Sequence, residues 1–299
     1  MIYSVKQTTA YKYQSAVPFA RHALRLSPRS NGRQEVLSST ITIDPAPRER
    51  EETEDFFGNL MTLIAIEEPH ESLTLASEAV VRVDPHDDPE PEATDDWRAV
   101  RDAAMRIGDL APRSPAHFLY PSRLVPLVPA IRDYALMSFG ASRPILDAGV
   151  DLMERIKADF VYDPTATDVT TPPGEAFELR RGVCQDFAHV MIAGLRALGL
   201  PAAYVSGYLR TEPPPGQPRL EGADATHAWV SLWCGEEVGW QGLDPTNALR
   251  TGLDHIELAL GRDYADVSPV DGVIVASGGH SLSVAVDVKE YKRPELPAL

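Results

Sequence analysis

Cysteine is scarce in this chain: its 299 residues hold two, Cys184 and Cys234. Two thiols make no disulfide framework, which excludes the small stapled secreted scaffolds and fits a reducing compartment. Long apolar runs are also missing. The stretch Leu60 to Ile66 is far shorter than the roughly 20 residues a bilayer-crossing helix needs. Met1 to Lys6 shows no charged segment running into an apolar one, so no signal peptide is read there and a cytoplasmic location is expected. Positive charge is short as well, 28 Lys and Arg against 44 Asp and Glu, for a net charge of −16 and a pI near 4.9. Such a surface argues against nucleic acid or an anionic membrane as a main partner. No His/Cys/acid cluster has metal-ligand spacing and no glycine loop has the phosphate-binding pattern, so neither metal nor cofactor is expected. His86 stands alone among linker carboxylates and His117 reads as a packing or surface residue.

What is present divides the chain into three spans. Residues 1–83 read as a β-rich region. Short runs around Ile2–Val5, Tyr11–Tyr13, His22–Leu26, Thr40–Ile43, Leu60–Ile66 and Leu73–Val83 alternate apolar and polar, the trace of a sandwich or partial barrel. Glu51 to Asp55 reads as a solvated acidic turn. Residues 84–93 are an acidic, proline-rich linker that neither packs nor propagates helix. Residues 94–299 form the third span. Thr94 is an expected N-cap for a helix burying Trp97, Val100, Ala104 and Ile107. A second helical region, Ser114 to Phe139, is broken by prolines, and Ile145 to Phe160 is an amphipathic helix. Val270–Val275 and Ser281–Val288 read as two closing strands of this span.

The chemistry concentrates in Arg181-Gly182-Val183-Cys184-Gln185-Asp186 and two later stretches, Thr226-His227-Ala228-Trp229 and Leu243-Asp244-Pro245-Thr246-Asn247. Cys184, Phe187, Ala188, Met191, Leu195 and Leu198 recur at three- and four-residue steps, so Cys184 falls in the first turn of a helix. The free N–H groups and partial positive charge there favour an anion. A lone cysteine followed at a distance by a histidine and an acid is the pattern of a nucleophilic thiol with its base and the base's orienting carboxylate. His227 takes or shares the thiol proton, and Asp244 fixes the imidazole tautomer. Asp186 suits the helix dipole. His189, about 140° around the helix from Cys184, reads as structural. Thr226 to Trp233 alternates strictly, which puts Cys234 on the face away from His227 as a packing thiol. The Pro/Gly-rich stretch Glu212 to Gly222 reads as a mobile connection beside the site.

Gly-Val-Cys-Gln-Asp-Phe-Ala-His (182–189), Tyr204-Val205-Ser206-Gly207-Tyr208, Asp224-Ala225-Thr226-His227-Ala228-Trp229 and Asp244-Pro245-Thr246-Asn247 together resemble the bacterial transglutaminase-like superfamily, with its papain-like cysteine protease core. The likeness extends to Asp55-Phe56-Phe57-Gly58-Asn59 and the first strands, which resemble that branch's N-terminal β region. It implies an α+β fold: a sandwich-like N-terminal region, then a cysteine helix packed on an antiparallel sheet carrying His227 and Asp244. In relatives an aromatic residue ahead of the cysteine is thought to help the oxyanion hole, and Tyr162 matches it. Gln185 is a second oxyanion or substrate candidate, and the backbone N–H of Cys184 is a further donor.

The expected function is cysteine-dependent acyl chemistry on peptide or protein amides through a thioester, with hydrolysis by a peptidase or amidase ahead of glutamine γ-glutamyl transfer to an amine. A non-catalytic binding or scaffold protein is the reading of another class. An arylamine acetyltransferase-like transferase shares the Cys-His-Asp order after an Arg-Gly turn, but the Asp-Pro-Thr-Asn and Ser-Gly-Tyr stretches fit it less well.

Overall fold

The computed structural model describes residues 1–211 and 226–291; the connection Glu212 to Gly222 lies outside them. Six strands come first: β1 (Ile2–Val17), β2 (Phe19–Leu24), β3 (Gln34–Asp44), β4 (Glu49–Glu54), β5 (Leu60–Ile66) and β6 (His70–Val83). In β6, Leu73, Leu75, Ser77, Ala79, Val81 and Val83 are buried at alternate positions, the period of a strand with one covered face. Helices α1 (Trp97–Ala104), α2 (Pro129–Leu136) and α3 (Ile145–Asp159) follow, then β7 (Val161–Tyr162), α4 (Pro173–Leu179), β8 (Arg181–Gly182) and α5 (Cys184–Ala197). The chain continues through β9 (Ala202–Leu209), β10 (Thr226–Trp233), β11 (Trp240–Asp244), β12 (Leu249–Arg250), β13 (His255–Gly261), α6 (Tyr264–Val267), β14 (Val270–Val275) and β15 (His280–Glu290).

Two four-stranded sheets, β15-β1-β6-β3 and β14-β2-β5-β4, enclose an aliphatic core that includes Val17, Leu24, Ile41, Ile64, Ile66, Leu73 and Leu75. A third sheet, β12-β11-β10-β9-β13, is antiparallel throughout. Every residue of β10 from His227 to Trp233 is buried. Helix α5 covers the face bearing Ala228, Val230 and Leu232, with Val190, Met191, Ile192 and Leu195 in the same core. Each such fully buried aliphatic side chain contributes roughly 1.5–3 kcal/mol, which is what fixes the cysteine helix on the sheet.

The sandwich is joined to the third sheet along β9 and β13. Tyr3, Val5, Val81, Val286 and Val288 pack on Tyr208, Ile256 and Leu258. β13 is an edge strand, and an edge leaves backbone groups that need partners. Side-chain amides of the sandwich supply them. Gln34 accepts from Glu257 N–H at 2.8 Å and donates to its carbonyl at 2.7 Å. Asn59 does the same for Leu260, at 2.8 Å each way.

Several elements differ from their sequence reading. β14 pairs with β2 and β15 with β1, so the two closing strands belong to the N-terminal sandwich and not to the third span. Strand pairing is not local in sequence, and composition carries no sign of which sheet edge a late strand joins. Glu51 to Glu54 is part of strand β4, whose acidic side chains stay in water because β4 is a sheet edge. The N-cap of α1 is Asp96, which accepts from Arg98 N–H; Thr94 instead accepts from Leu146 N–H at 3.1 Å, tying α3 to the start of the span. Of the Ser114–Phe139 region, Pro115–Phe118 forms a 3₁₀ turn and only α2 is α-helical, as its prolines dictate.

Candidate active site

The cysteine turn is built by a glycine and an acid. Gly182 has φ of +155°, and a Cβ there would lie 2.4 Å from Asp186 Oδ2. Only glycine lets the Asp186 carboxylate fold back over the turn. That carboxylate accepts from Val183 N–H at 2.8 Å and from Thr167 Oγ at 2.7 Å, capping α5 and fastening the preceding loop. Burial pushes its carboxyl up despite these donors. Cys184 is the first residue of α5 and is partly exposed.

The loop ahead of the cysteine is stitched to it at several points. β7 and β8 pair in parallel and set Tyr162 opposite Gly182. Asp163 N–H donates to Gly182 O at 2.9 Å. Gln185 donates its Nε2 hydrogen to Val169 O at 3.1 Å, so its amide serves the loop. Tyr162 is 52% exposed; its pairing with Gly182, two residues before Cys184, sets it beside the cysteine turn, and burial, then the charge of Cys184, raises its phenol.

His227 and Asp244 meet across neighbouring strands β10 and β11. His227 Nε2 lies 2.7 Å from Asp244 Oδ2. The carboxylate is fully buried and surrounded by donors. Oδ1 accepts from the N–H groups of Thr246 at 2.9 Å and Asn247 at 3.3 Å. Oδ2 also accepts from Asn247 Nδ2 at 2.8 Å, and His255 Nε2 lies 3.4 Å away. Burial works against the charged carboxylate; His227, His255 and Asn247 outweigh it and hold the carboxyl well below its ordinary range. For His227, burial opposes protonation, but the hydrogen bonds to Asp244 and to the Cys184 side chain prevail and raise the imidazole from 6.5 to about 9. At neutral pH it is therefore an imidazolium between thiol and carboxylate, with Nε2 committed to Asp244 and Nδ1 left for Cys184.

His227, Asp244 and His255 also bring three metal-type ligand atoms within 4.8 Å of one another. Here the nitrogens and Oδ2 are already joined by hydrogen bonds, and the cluster reads as a proton-holding network. Thus Cys184, His227, Asp244 and Tyr162 come together, while Gln185 faces the loop. His189 lies elsewhere: its Nε2 accepts from Tyr264 N–H at 3.2 Å and burial lowers the ring to about 4, so it is neutral packing. Cys234, 1% exposed, sits in the helix–sheet core. Sequence reasoning assigned no role to Asn247, although it closes a quoted motif, and passed over His255. A histidine opening a strand gives no sign of what it will face.

The comparisons with known proteins give the family and the fold. The family model described as bacterial transglutaminase-like N-terminal region matches residues 3–82, and that of the transglutaminase-like superfamily matches residues 136–245. Rv2569c of Mycobacterium tuberculosis, described as uncharacterised, is 40% identical over 306 residues, covering 99% of this chain and 95% of that protein. A protein-glutamine gamma-glutamyltransferase of Pseudomonas aeruginosa is 38% identical over 88 residues, 29% of this chain and 13% of that protein. A crystal structure of a candidate cysteine protease from Cytophaga hutchinsonii shares the fold with a TM-score of 0.74 at 22% identity, over 99% of this chain and 93% of that one. Family and fold support a cysteine-dependent enzyme. The chain belongs to the transglutaminase-like superfamily, in the branch that carries the bacterial transglutaminase-like N-terminal region.

Proposed function

We propose that the protein is a thiol hydrolase of peptide or protein amides, a peptidase or amidase working through Cys184, His227 and Asp244. The observation that carries this reading is the 2.7 Å contact between His227 Nε2 and a fully buried Asp244, which leaves Nδ1 as the ring nitrogen available to a thiol. The Cys184 thiolate attacks the carbonyl carbon, and the C–N bond breaks as His227 gives its proton to the leaving amine. Neutral His227 then takes a proton from water, which attacks the thioester; the acid leaves and the sulfur is restored. The N–H of Cys184, with Tyr162 beside it, is the donor set for the oxyanion.

Water is favoured over an amine as acceptor because the rim of the site is open. Val161, Tyr162 and Val169 are 56%, 52% and 59% exposed. A competing amine needs a groove that holds it near the thioester better than solvent does. The likeness to the Pseudomonas aeruginosa glutamyltransferase supports transfer as the second reading. Mass spectrometry of products from a glutamine-containing peptide library, with a primary amine at millimolar concentration, tests both. Free acids or cleaved peptides that disappear with Cys184→Ala are expected. Amine adducts formed faster than acid would overturn hydrolysis in favour of transfer.

A further inference from the structure

Asp244 carries a second imidazole that a Cys-His-Asp triad does not require. His255 opens β13, and its Nε2 lies 3.4 Å from Asp244 Oδ2. Its Nδ1 accepts the N–H of Gly252 at 3.3 Å. A ring nitrogen that accepts carries no proton, so the neutral ring keeps its hydrogen on Nε2 and donates it to the carboxylate. The contact is long, but it is the only donor to Asp244 from β13 among the described residues; Thr246 and Asn247 follow Asp244 in the chain and His227 is the group being oriented.

The arrangement is costly to build by chance. β10 and β9 separate β11 from β13 in the sheet, so the contact spans two strands. The space over β9 exists because residue 207 is glycine: a Cβ there would lie 2.4 Å from the Trp229 ring and 2.2 Å from Ile256 O. Trp229 fills that space and meets His255 edge-on, with ring centroids 5.2 Å apart. Behind the ring, a cavity of about 300 Å³ lies between β13 and the sandwich. Two residues on, β13 is clamped to the sandwich by Gln34 through both backbone groups of Glu257. The imidazole is therefore held on one side by Trp229 and through its backbone by the N-terminal region.

We propose that His255 is a positioning residue for the triad: its Nε2–H holds the Asp244 carboxylate in line with His227. The inference rests on the thiol-hydrolase reading above. Without this donor the carboxylate keeps its backbone partners but loses a restraint on rotation of Oδ2, so His227 is oriented for a smaller fraction of the time.

The test uses the full chain, iodoacetamide as the probe of Cys184 and p-nitrophenyl acetate as the turnover substrate. His255→Leu is expected to lower kcat by about tenfold with KM unchanged and to slow alkylation at pH 7 to a similar extent. His255→Gln, whose amide N–H can still donate to Oδ2, is expected to recover most of both. Should the leucine variant not fold, His255→Asn, too short to reach the carboxylate, replaces it. A purely structural role would lower thermal stability without the kcat-against-KM split and without rescue by glutamine. Equal kcat in the leucine and parent proteins, or a glutamine variant no better than leucine, overturns the inference. Asp244→Asn runs alongside. If it alone impairs alkylation and turnover, only the role of His255 fails; if it changes neither, the triad reading fails with it.

Discussion

Replacing Asp244 by asparagine should move the alkaline limb of the pH–rate profile. Acylation needs the proton on His227, because that proton leaves with the amine. In the parent protein the imidazole holds it up to about pH 9, so the single-turnover acylation rate is flat through neutral pH and falls above that. The rise from 6.5 to about 9 corresponds to roughly 3 kcal/mol, at about 1.4 kcal/mol for each pH unit. Burial is the largest influence and works downward; the hydrogen bond to Asp244 is the foremost of those that raise the value. Asparagine removes that charge and leaves the burial, so the limb should retreat toward neutrality by at least about one pH unit. At pH 8 the rate should drop further, on the order of 10⁴ in the analogous serine triad, because the wrong tautomer becomes accessible. Stability gives an independent readout. A raised imidazole contributes fully below 6.5 and its contribution is lost as pH climbs through 9; the depressed Asp244 contributes above its ordinary carboxylate range and is lost on acidification. Thermal denaturation should therefore separate parent from Asp244→Asn most between about pH 4 and 6.5, and less at pH 10. A variant whose acylation limb stays near pH 9 would refute the assignment of Asp244 as the partner of His227.

Iodoacetamide with peptide mapping should modify Cys184 and leave Cys234 untouched in the folded protein, since Cys234 is buried and burial pushes its thiol up; equal labelling would contradict the packing described here. Gly182→Ala should lower the melting temperature and slow alkylation together, through a Cβ 2.4 Å from the capping carboxylate of Asp186, with a loss of about 1–2 kcal/mol for the cap alone. An alanine variant of parental stability would show that the turn relaxes freely. Asn247→Ala removes the 2.8 Å donor to Asp244 Oδ2 and should reduce turnover of p-nitrophenyl acetate about tenfold, for a hydrogen bond of roughly 1.5 kcal/mol to a charged group; unchanged turnover would remove Asn247 from the network.

The sequence by itself carried whatever depends on local pattern. The three- and four-residue apolar step put Cys184 at a helix start, where α5 begins, and the two-residue step of 226–233 marked β10 and kept Cys234 off the face of His227. Gly182 as a turn and Asp186 as a first-turn acid were legible because both act on near neighbours; the fold of that carboxylate back onto Val183 N–H was seen only in the structure. Tertiary structure alone decided what distant segments do to one another. Whether β14 and β15 complete the sandwich or the third sheet depends on which edges are open once the cores have formed, and their composition suits either. Gln185 was an oxyanion or substrate candidate until the 163–171 stretch was in place, and Val169 O then took its donor. His255 could be recognised only with the sheet assembled. Its distance to Asp244 is set by Gly207 on an intervening strand and by the clamp from Gln34, residues that sequence places 48 and 221 positions away from it. Local periodicity encodes which face a residue takes; the packing of whole layers determines what that face meets.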